Sequence, residues 1–397
     1  MANVKERTDL LRTRGSHEHS RVTFVELFFD LVFVFAVTQL SHTLLAHFTP
    51  LGAAQTTLLL LAVWWVWIYT SWVTNWLDPE RTAVRLLLFA LMLAGLILST
   101  SIPKAFDSKG LAFVASYVFM QVGRSLFMLW VLRSRSPGNF RNFQRITAWL
   151  VLAAMFWFAG AFAEGSARFM LWSLALALEY LSPSLGFWTP GLGRSTTGEW
   201  DIEGGHLAER CGLFIIIALG ESILVTGATF ADLEWTPEVI AAFLVSVVGS
   251  IAMWWIYFAI GAERASRLIT STVDPGRLAR VAYTYIHLPI VAGIIVAAVA
   301  DEFVLAHPSG HAETGIATAV LAGPGLFLAG NTLFKRVTAG WYPLSHLVGL
   351  ALIASLIPVS PAMSPLTLSA AVTIVLLVVA AWERISLGPN AAPVSHP

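Results

Sequence analysis

Long apolar runs alternate with short polar connections along almost the whole chain. Most runs hold roughly 17 to 25 residues, the length that an α-helix needs to cross a bilayer. The pattern therefore predicts an all-α, polytopic integral membrane protein with about 12 transmembrane helices. The predicted spans cover residues 23–45, 53–76, 83–102, 111–132, 146–163, 167–183, 207–229, 237–261, 279–300, 313–334, 343–359 and 365–384. The weakest predictions are the pairs within 146–183 and 343–384, where the count is open by one helix in each pair.

The composition agrees with a membrane location. Hydrophobic residues make up 57% of the chain and charged residues only 12%, whereas about a quarter of a soluble domain is charged. The formal net charge is +0, and the basic residues are scattered among short loops instead of forming a nucleic-acid-binding face. We therefore expect the lipid bilayer, and no nucleic acid, as a partner.

The distribution of lysine and arginine predicts the orientation. With the N-terminus in the cytoplasm, nineteen of the 24 basic residues fall in cytoplasmic segments and only Lys104, Lys109 and Arg168 in outer ones, which is the positive-inside pattern. Arg124 and Arg210 lie within spans. The chain is thus predicted to be multi-pass, with a basic N-terminal tail at 1–22 and a C-terminal tail at 386–397, both cytoplasmic.

The first six predicted helices resemble the last six in order. VELFFDLVFVFAVTQL in the first helix matches AERCGLFIIIALGESIL in the seventh, which aligns Glu26 with Glu209, and four further matches follow in sequence. We predict a first six-helix repeat at 23–183, a cytoplasmic linker at 184–206 and a second repeat at 207–385. Because six is even, the two repeats would be parallel, as in some secondary transporters.

Two carboxylates lie in the first apolar run, FVELFFDLVFVFAVTQLSH. Glu26 and Asp30 are four residues apart and so share one helix face. An ionisable residue inside a span is costly and indicates a functional site with a partner, and Arg124 in the fourth span is the predicted cation for Asp30. The repeat supports this pair, since Asp30 aligns with Leu213 and Arg124 with Asn331. The alternative is that Arg124 extends toward the membrane boundary and that Asp30 is a cap or is protonated.

The second half carries its own polar positions. His206 lies three and four residues before Glu209 and Arg210, and Glu221 lies about three turns deeper, as the most central carboxylate of the chain. Glu221 is a candidate for contact with an ion, with a structural hydrogen bond as the alternative. Glu209 and Arg210 are also compatible with a solvated helix start. His287 precedes a proline in YTYIHLPIV, and its alternative interpretation is a packed, hydrogen-bonded residue.

The sequence indicates neither a catalytic centre nor a cofactor. Cys211 is the only cysteine, which excludes an intrachain disulfide and a multi-cysteine metal site. The histidines are too scattered to predict a metal site, and the sequence motifs of metalloproteases, serine hydrolases and P-loop proteins are absent. We expect no enzyme activity, no cofactor and no metal.

The motifs VELFFDLVFVFAVTQLSH and HLAERCGLFIIIALGESIL together resemble the bacterial low temperature requirement A (LtrA) family, and the resemblance covers about residues 20 to 385. The family is named for a cold-growth phenotype. The resemblance implies a polytopic protein of the bacterial cytoplasmic (inner) membrane and little chemistry. The positions that carry its polar signature here are Glu26, Asp30, His206, Glu209, Arg210 and Glu221.

The sequence predicts a transporter-like protein that moves an ion or a proton-coupled small solute through a polar region between the repeats. The predicted pathway consists of Glu26, Asp30, Arg124, His206, Glu209, Arg210, Glu221 and His287. The alternative is a non-catalytic membrane-integrity or scaffold protein in cold or stress adaptation. The sequence leaves open whether the protein forms a homo-oligomer.

Overall fold

The computed structural model describes residues 10–12, 22–133, 135–197, 200, 202–259, 268–270, 272 and 274–386. These residues are almost entirely helical. The helices are α1 Phe24–Ala46, α2 Pro50–Trp76, α3 Thr82–Ser101, α4 Gly110–Leu132, α5 Pro137–Phe162, α6 Gly165–Leu181, α7 Gly204–Asp232, α8 Pro237–Tyr257, α9 Pro275–Ala306, α10 Thr314–Ala339, α11 Leu344–Leu356 and α12 Pro365–Ser386.

Ten helices of the described part are long and apolar enough to cross a membrane, judged by length and composition. The other two are α6, with 17 residues, and α11, with 13. At 1.5 Å per residue they extend about 26 Å and about 20 Å, less than the ~30 Å of a bilayer's hydrocarbon core. Both lie in the two segments where the predicted helix count was open by one. The membrane class is thus borne out, with ten candidate spans.

Prolines mark several helix starts. Pro50, Pro137 and Pro237 occupy the first turns of α2, α5 and α8, where a missing N–H costs nothing because that group has no helical partner. The side chain of Thr49 accepts the Gly52 N–H at 3.1 Å and so caps α2. The early start of α5 at Pro137 places polar residues inside the helix that the apolar pattern, beginning at 146, did not include.

The chain divides into two compact units by its internal contacts. The first consists of Met1–Arg210 and Val273–Arg277, and the second of Cys211–Thr272 and Leu278–Pro397. Helix α7 contributes its first residues to the first unit and the rest to the second. The predicted repeat boundaries remain predictions.

In the first unit, α1 packs against α2 and α3, α4 packs against α3 and α5, α5 pairs with α6, and α2 contacts α6. Aromatic rings of Phe113, Tyr117, Trp157 and Trp172 form a buried cluster where α4, α5 and α6 meet. Helix α4 contains a π-helical turn at Phe119–Gly123, a local widening that often accompanies a functional or strained position. It directly precedes Arg124.

In the second unit, α9 and α10 form the tightest pair, while α8 packs against α12, and α11 against α10 and α12. Glycine permits the close approach of α9 and α10, because a Cβ on Gly323 would lie 2.6 Å from the Ala297 nitrogen. Small residues serve membrane helices in this way. Residues Ala279–Tyr285 of α9 are π-helical, which accommodates Pro289, since proline cannot donate to the carbonyl four residues earlier.

Candidate functional site

A buried carboxylate, Glu26, joins three segments of the first unit. Its Oε2 accepts the N–H and the hydroxyl of Thr23, both at 2.9 Å, and Nη2 of Arg12 at 3.0 Å. Its Oε1 accepts Nη1 of Arg210 at 3.1 Å and lies 3.0 Å from Nε2 of His206. Five donors surround a side chain that is 0% exposed, so every lone-pair direction of this carboxylate is used. Glu26 therefore caps α1 and binds the start of α7 and residue 12 to it.

Asp30, one turn further along α1, is only half satisfied. Its Oδ1 accepts Nη2 of Arg210 at 2.6 Å and Nε1 of Trp67 at 2.9 Å. Its Oδ2 is buried and has no hydrogen-bond partner in the described part of the chain. An unmade hydrogen bond at a buried charge is costly, so Asp30 keeps an unused acceptor beside the Arg210 guanidinium.

The hydrogen-bond network assigns a tautomer to His206. Asn75 Oδ1 accepts the Glu203 N–H at 2.8 Å, and Nδ2 donates to the Glu203 carbonyl oxygen at 2.8 Å, which settles which end of the amide carries the hydrogens. The same Nδ2 lies 3.3 Å from His206 Nδ1, so Nδ1 accepts. The ring proton is then on Nε2, which donates to Glu26 Oε1. Nη2 of Arg12 lies 3.2 Å from the same nitrogen and donates to Glu26 Oε2 instead. Asn75 thereby orients the imidazole toward the carboxylate.

The predicted ion pair between Asp30 and Arg124 is wrong. Arg210 is the cation at Asp30, whereas Arg124 donates to the Val66 carbonyl oxygen at 3.1 Å, to Thr70 Oγ1 at 2.8 Å and to the Gln121 side chain. Arg124 is buried but satisfied by neutral groups. Arg210 was identified as a polar position but not as the partner of Asp30, because it adjoins Glu209 at a helix start. One residue turns a helix by about 100°, so the two side chains point in different directions. Glu209 is exposed and Arg210 is 0% exposed.

Each unit also holds a buried carboxylate on its last helix. Glu179 of α6 is 2% exposed and accepts from the Tyr117 hydroxyl, from Gln121 Nε2 at 3.1 Å and from Trp157 Nε1 at 2.9 Å. Glu383 of α12 is 5% exposed and binds Lys335 Nζ at 2.6 and 2.7 Å. In both units the carboxylate reaches a polar residue of the fourth helix.

With this geometry in view, the comparisons with known proteins identify the family. The family model of the bacterial low temperature requirement A protein matches residues 21–381. The chain belongs to the LtrA family. It is also 45% identical over 388 residues to the uncharacterized protein RA0937 of Rhizobium meliloti (strain 1021), covering 97% of this chain and 94% of that protein. No solved structure matches.

The LtrA signature positions divide into two groups. Glu26, Asp30, His206 and Arg210 form one cluster inside the first unit. Glu209 is exposed, and its carboxylate accepts the Val22 N–H at 3.3 Å. Glu221 lies in the second unit, is 6% exposed and makes no hydrogen bond or ion pair with another described residue. The signature therefore does not define one continuous row of charges.

His287, predicted from its proline context, is packed in the second unit of this LtrA protein. Its Nδ1 lies 2.8 Å from the Ala282 carbonyl oxygen, and its Nε2 lies 2.7 Å from the Tyr257 hydroxyl. Since a carbonyl only accepts, Nδ1 carries the proton and Nε2 accepts from Tyr257. His287 is 0% exposed, so this geometry matches the packed interpretation.

Several members of the cluster were not found by sequence analysis. Arg12 reaches Glu26 because residues 10–12 run alongside the end of α2, where the Arg12 N–H donates to the Trp76 carbonyl oxygen at 2.8 Å. Trp67 is one tryptophan in a run of several, and Asn75 is uncharged, so neither residue stands out within its apolar helix. An apolar pattern gives no signal for such partners, because each contact joins positions distant in sequence.

A polar cavity lies in the first unit at the far end of α1 from Glu26. Its volume is about 580 Å³, within the range of small-molecule pockets. Its polar and charged lining comprises Thr43, His47, Gln55, Asp107, Ser108, Glu164 and Arg168. Arg168 is held by backbone carbonyl oxygens, among them those of Asp107 at 2.8 Å and Ala163 at 3.0 Å. The distance from Thr43 to Asp30 along α1 is about 20 Å at 1.5 Å per residue.

Proposed function

We propose that this LtrA protein is a secondary transporter of the bacterial inner membrane that moves an ion or a proton-coupled small solute, with Asp30 as the group that changes protonation. The observation that carries the proposal is the buried Asp30 carboxylate with one oxygen unpaired. Ionisable residues inside spans mark ion or proton pathways by default. Glu26 does not suit this role, because its five donors hold it as a carboxylate.

The contacts of Arg210 suggest how Asp30 is coupled to the rest of the cluster. Arg210 binds Asp30 through Nη2 and Glu26 through Nη1. Protonation of Asp30 removes one of the two charges that hold the guanidinium and leaves Glu26 as its anchor. The guanidinium can then rotate about that anchor. Coupled transport needs a group with two such positions, so that a proton or solute can shift the equilibrium between them.

The cavity at the other end of α1 supports a small solute as cargo. Carboxylates, amide groups, a histidine and an arginine line it, and such mixed donors and acceptors suit a polar solute. The cavity and Asp30 belong to the same unit and share α1. We propose the cavity as the binding region and Asp30 as the coupling group.

The packing within each unit supports the proposed duplication of a six-helix arrangement. Third and fourth helices pair in both units, as α3 with α4 and α9 with α10. The fourth contacts the fifth, the fifth contacts the sixth, and the second contacts the sixth in both units as well. Parallel repeats of this kind occur in transporters. Together with the distribution of basic residues, they favour cytoplasmic termini.

The test is proton and monovalent-cation flux into liposomes that contain the purified protein. Wild type and Glu80→Gln, which alters an exposed carboxylate of the first unit outside the predicted pathway, should show equal flux. Asp30→Asn should abolish it while the protein stays folded, because the amide keeps the shape and the acceptor oxygen. Undiminished flux through Asp30→Asn contradicts the assignment.

A scaffold role in membrane integrity is the second candidate. The saturated bonding of Glu26 favours it, since a fully paired, dry charge cluster serves to hold helices in place. In that case the wild type shows no flux of protons, monovalent cations or polar solutes, and Asp30→Asn changes neither flux nor the cold growth of a strain that depends on the protein. Both candidates are non-enzymatic.

A further inference from the structure

A small cavity lies inside the second unit among α8, α9, α10 and α12. Its volume is about 30 Å³, and a buried water needs roughly 10–15 Å³ by the same measure, so the cavity has room for one ion or one or two waters. Asp301 of α9 is the one charged residue among those that line it. Its hydroxyl-bearing lining residues are Ser246, Ser250, Ser369 and Thr373.

These four hydroxyls differ from many other helical serines and threonines of the described chain. Thr70, Ser99, Thr318 and Thr332, for example, donate to the carbonyl oxygen four residues earlier at 2.6 to 2.8 Å. The cavity hydroxyls make no hydrogen bond within 3.5 Å to another described residue. No hydrogen-bond partner lies within 3.5 Å of the fully buried Ser246 Oγ, and this side chain interacts with the Asp301 carboxylate. Their oxygen atoms are therefore available to a ligand.

Two features of the backbone shape the cavity: a carbonyl oxygen that lacks its usual helical donor, and space for the Thr373 side chain. Pro324 lies within α10 and has no N–H, so it cannot bond the Val320 carbonyl oxygen in the usual helical way. Val320 and Pro324 both line the cavity. On α8, Gly249 leaves room for the Thr373 side chain, because a Cβ there would lie 3.3 Å from Thr373 Oγ1.

We propose that this cavity binds one monovalent cation of the size of Na⁺, with the Asp301 carboxylate as the charged ligand and Ser246, Ser250 and Thr373 hydroxyls as neutral ligands. An all-oxygen donor set suits hard cations. One carboxylate balances one positive charge, whereas a divalent ion would leave an uncompensated charge among apolar helices. Glu302, next to Asp301 in sequence, is not among the residues that line the cavity.

A role of this cavity as a coupling-ion site rests on the transport proposed above. Cation binding does not depend on transport, and it is measured on the full-length protein in detergent, where no transport takes place. The thermal unfolding midpoint is followed as NaCl replaces choline chloride at constant ionic strength, and binding of radioactive Na⁺ is measured on the same preparation. We expect the midpoint of the wild type to rise with Na⁺ concentration, as ligand linkage requires.

Matched variants assign the effect to the cavity. Asp301→Asn should lose Na⁺ binding, and Asp232→Asn, at an exposed carboxylate of the same unit, should keep it. Ser246→Ala combined with Thr373→Val keeps the charge and should weaken binding about tenfold or more, which corresponds to roughly 1.4 kcal/mol. If Asp301→Asn does not fold, the double variant Ser246→Ala with Thr373→Val tests the site instead.

Three results would overturn the sodium site. They are a wild-type midpoint that is the same in sodium and choline, full Na⁺ binding by Asp301→Asn, and unchanged affinity in the double hydroxyl variant. Proton flux without Na⁺ binding removes this site and leaves the transport proposal. Na⁺ binding without any flux supports the site and counts against transport.

Discussion

The cluster around Glu26 and Asp30 in the first unit and the Asp301 cavity in the second unit accommodate buried charge differently. In the first unit, Glu26 and Asp30 face Arg210 and Arg12 across distances of 2.6 to 3.1 Å, so their charges are balanced by countercharges within the chain. In the second unit's small cavity, Asp301 faces hydroxyl groups and no lining cation. The difference suggests that the first cluster is held together by the protein itself, while the second is completed by a ligand.

A similar contrast exists within the first cluster. Glu26 has five donors and no free acceptor, whereas Asp30 has an unpaired Oδ2. Two carboxylates one turn apart on the same helix thus have unlike roles. Full pairing favours a fixed structural charge, and partial pairing favours a group that can change state.

The largest expected effect is the loss of the shared cation. Arg210→Met leaves Glu26 and Asp30 without their common partner, and breaking a buried pair in this way costs about 3–5 kcal/mol. The free energy of unfolding in detergent micelles should fall by that amount or the protein should fail to accumulate. Arg194→Met, at an exposed arginine of the same unit, should be close to neutral. A near-neutral Arg210→Met would show that the cluster is not structural.

Next in size is the difference between the two carboxylates. Glu26→Gln loses the charge that Arg12 and Arg210 share and turns an acceptor into a donor, so unfolding should become easier by about 3 kcal/mol. Asp30→Asn keeps its acceptor for Trp67 and Arg210 and should cost about 1 kcal/mol. Equal losses in the two unfolding experiments would contradict the division of roles.

A smaller effect is expected where helix packing shapes the second cavity. Gly323→Ala introduces a methyl group 2.6 Å from the Ala297 nitrogen and should cost about 1–3 kcal/mol through overpacking. Gly325→Ala, two residues along the same helix with no neighbour within 4 Å, is the control and should be neutral or slightly stabilising. The Na⁺ response should weaken only in Gly323→Ala, because Ala297 lines the cavity.

The smallest stability change is predicted for Thr373→Ala. Its hydroxyl makes no hydrogen bond to another described residue, so its removal should change the free energy of unfolding by less than about 1 kcal/mol. Its effect on sodium-dependent stabilisation should be much larger. Thr373→Ser, which keeps the hydroxyl, should retain the sodium response. A large stability loss with no change in that response would mean that Thr373 only packs.

The apolar pattern predicted the membrane class and the helices well, because a bilayer imposes one length and one polarity on every span. It was weakest at α6 and α11, which are too short to be candidate spans. The site was only partly predictable. Glu26, Asp30, His206 and Arg210 were all identified as polar positions, but Asp30 was paired with Arg124, since sequence alone does not tell which side chains of distant helices meet.

The remaining partners carry almost no sequence signal. Arg12 belongs to a basic tail, Trp67 to an aromatic run, and Ser246 and Thr373 to helices where such residues are common. Their importance comes from convergence in space on a carboxylate. Asp301 likewise follows an apolar run near a helix end, and only packing against three other helices turns it into the centre of a cavity.

The central claim is that Asp30 changes protonation while Glu26 stays ionised. Infrared difference spectroscopy of carboxyl groups on the protein in liposomes, recorded while pH is varied, tests it directly. The wild type should show a pH-dependent carboxyl signal that Asp30→Asn removes and that Glu80→Gln, at an exposed carboxylate, preserves. A signal unaffected by Asp30→Asn would contradict the account.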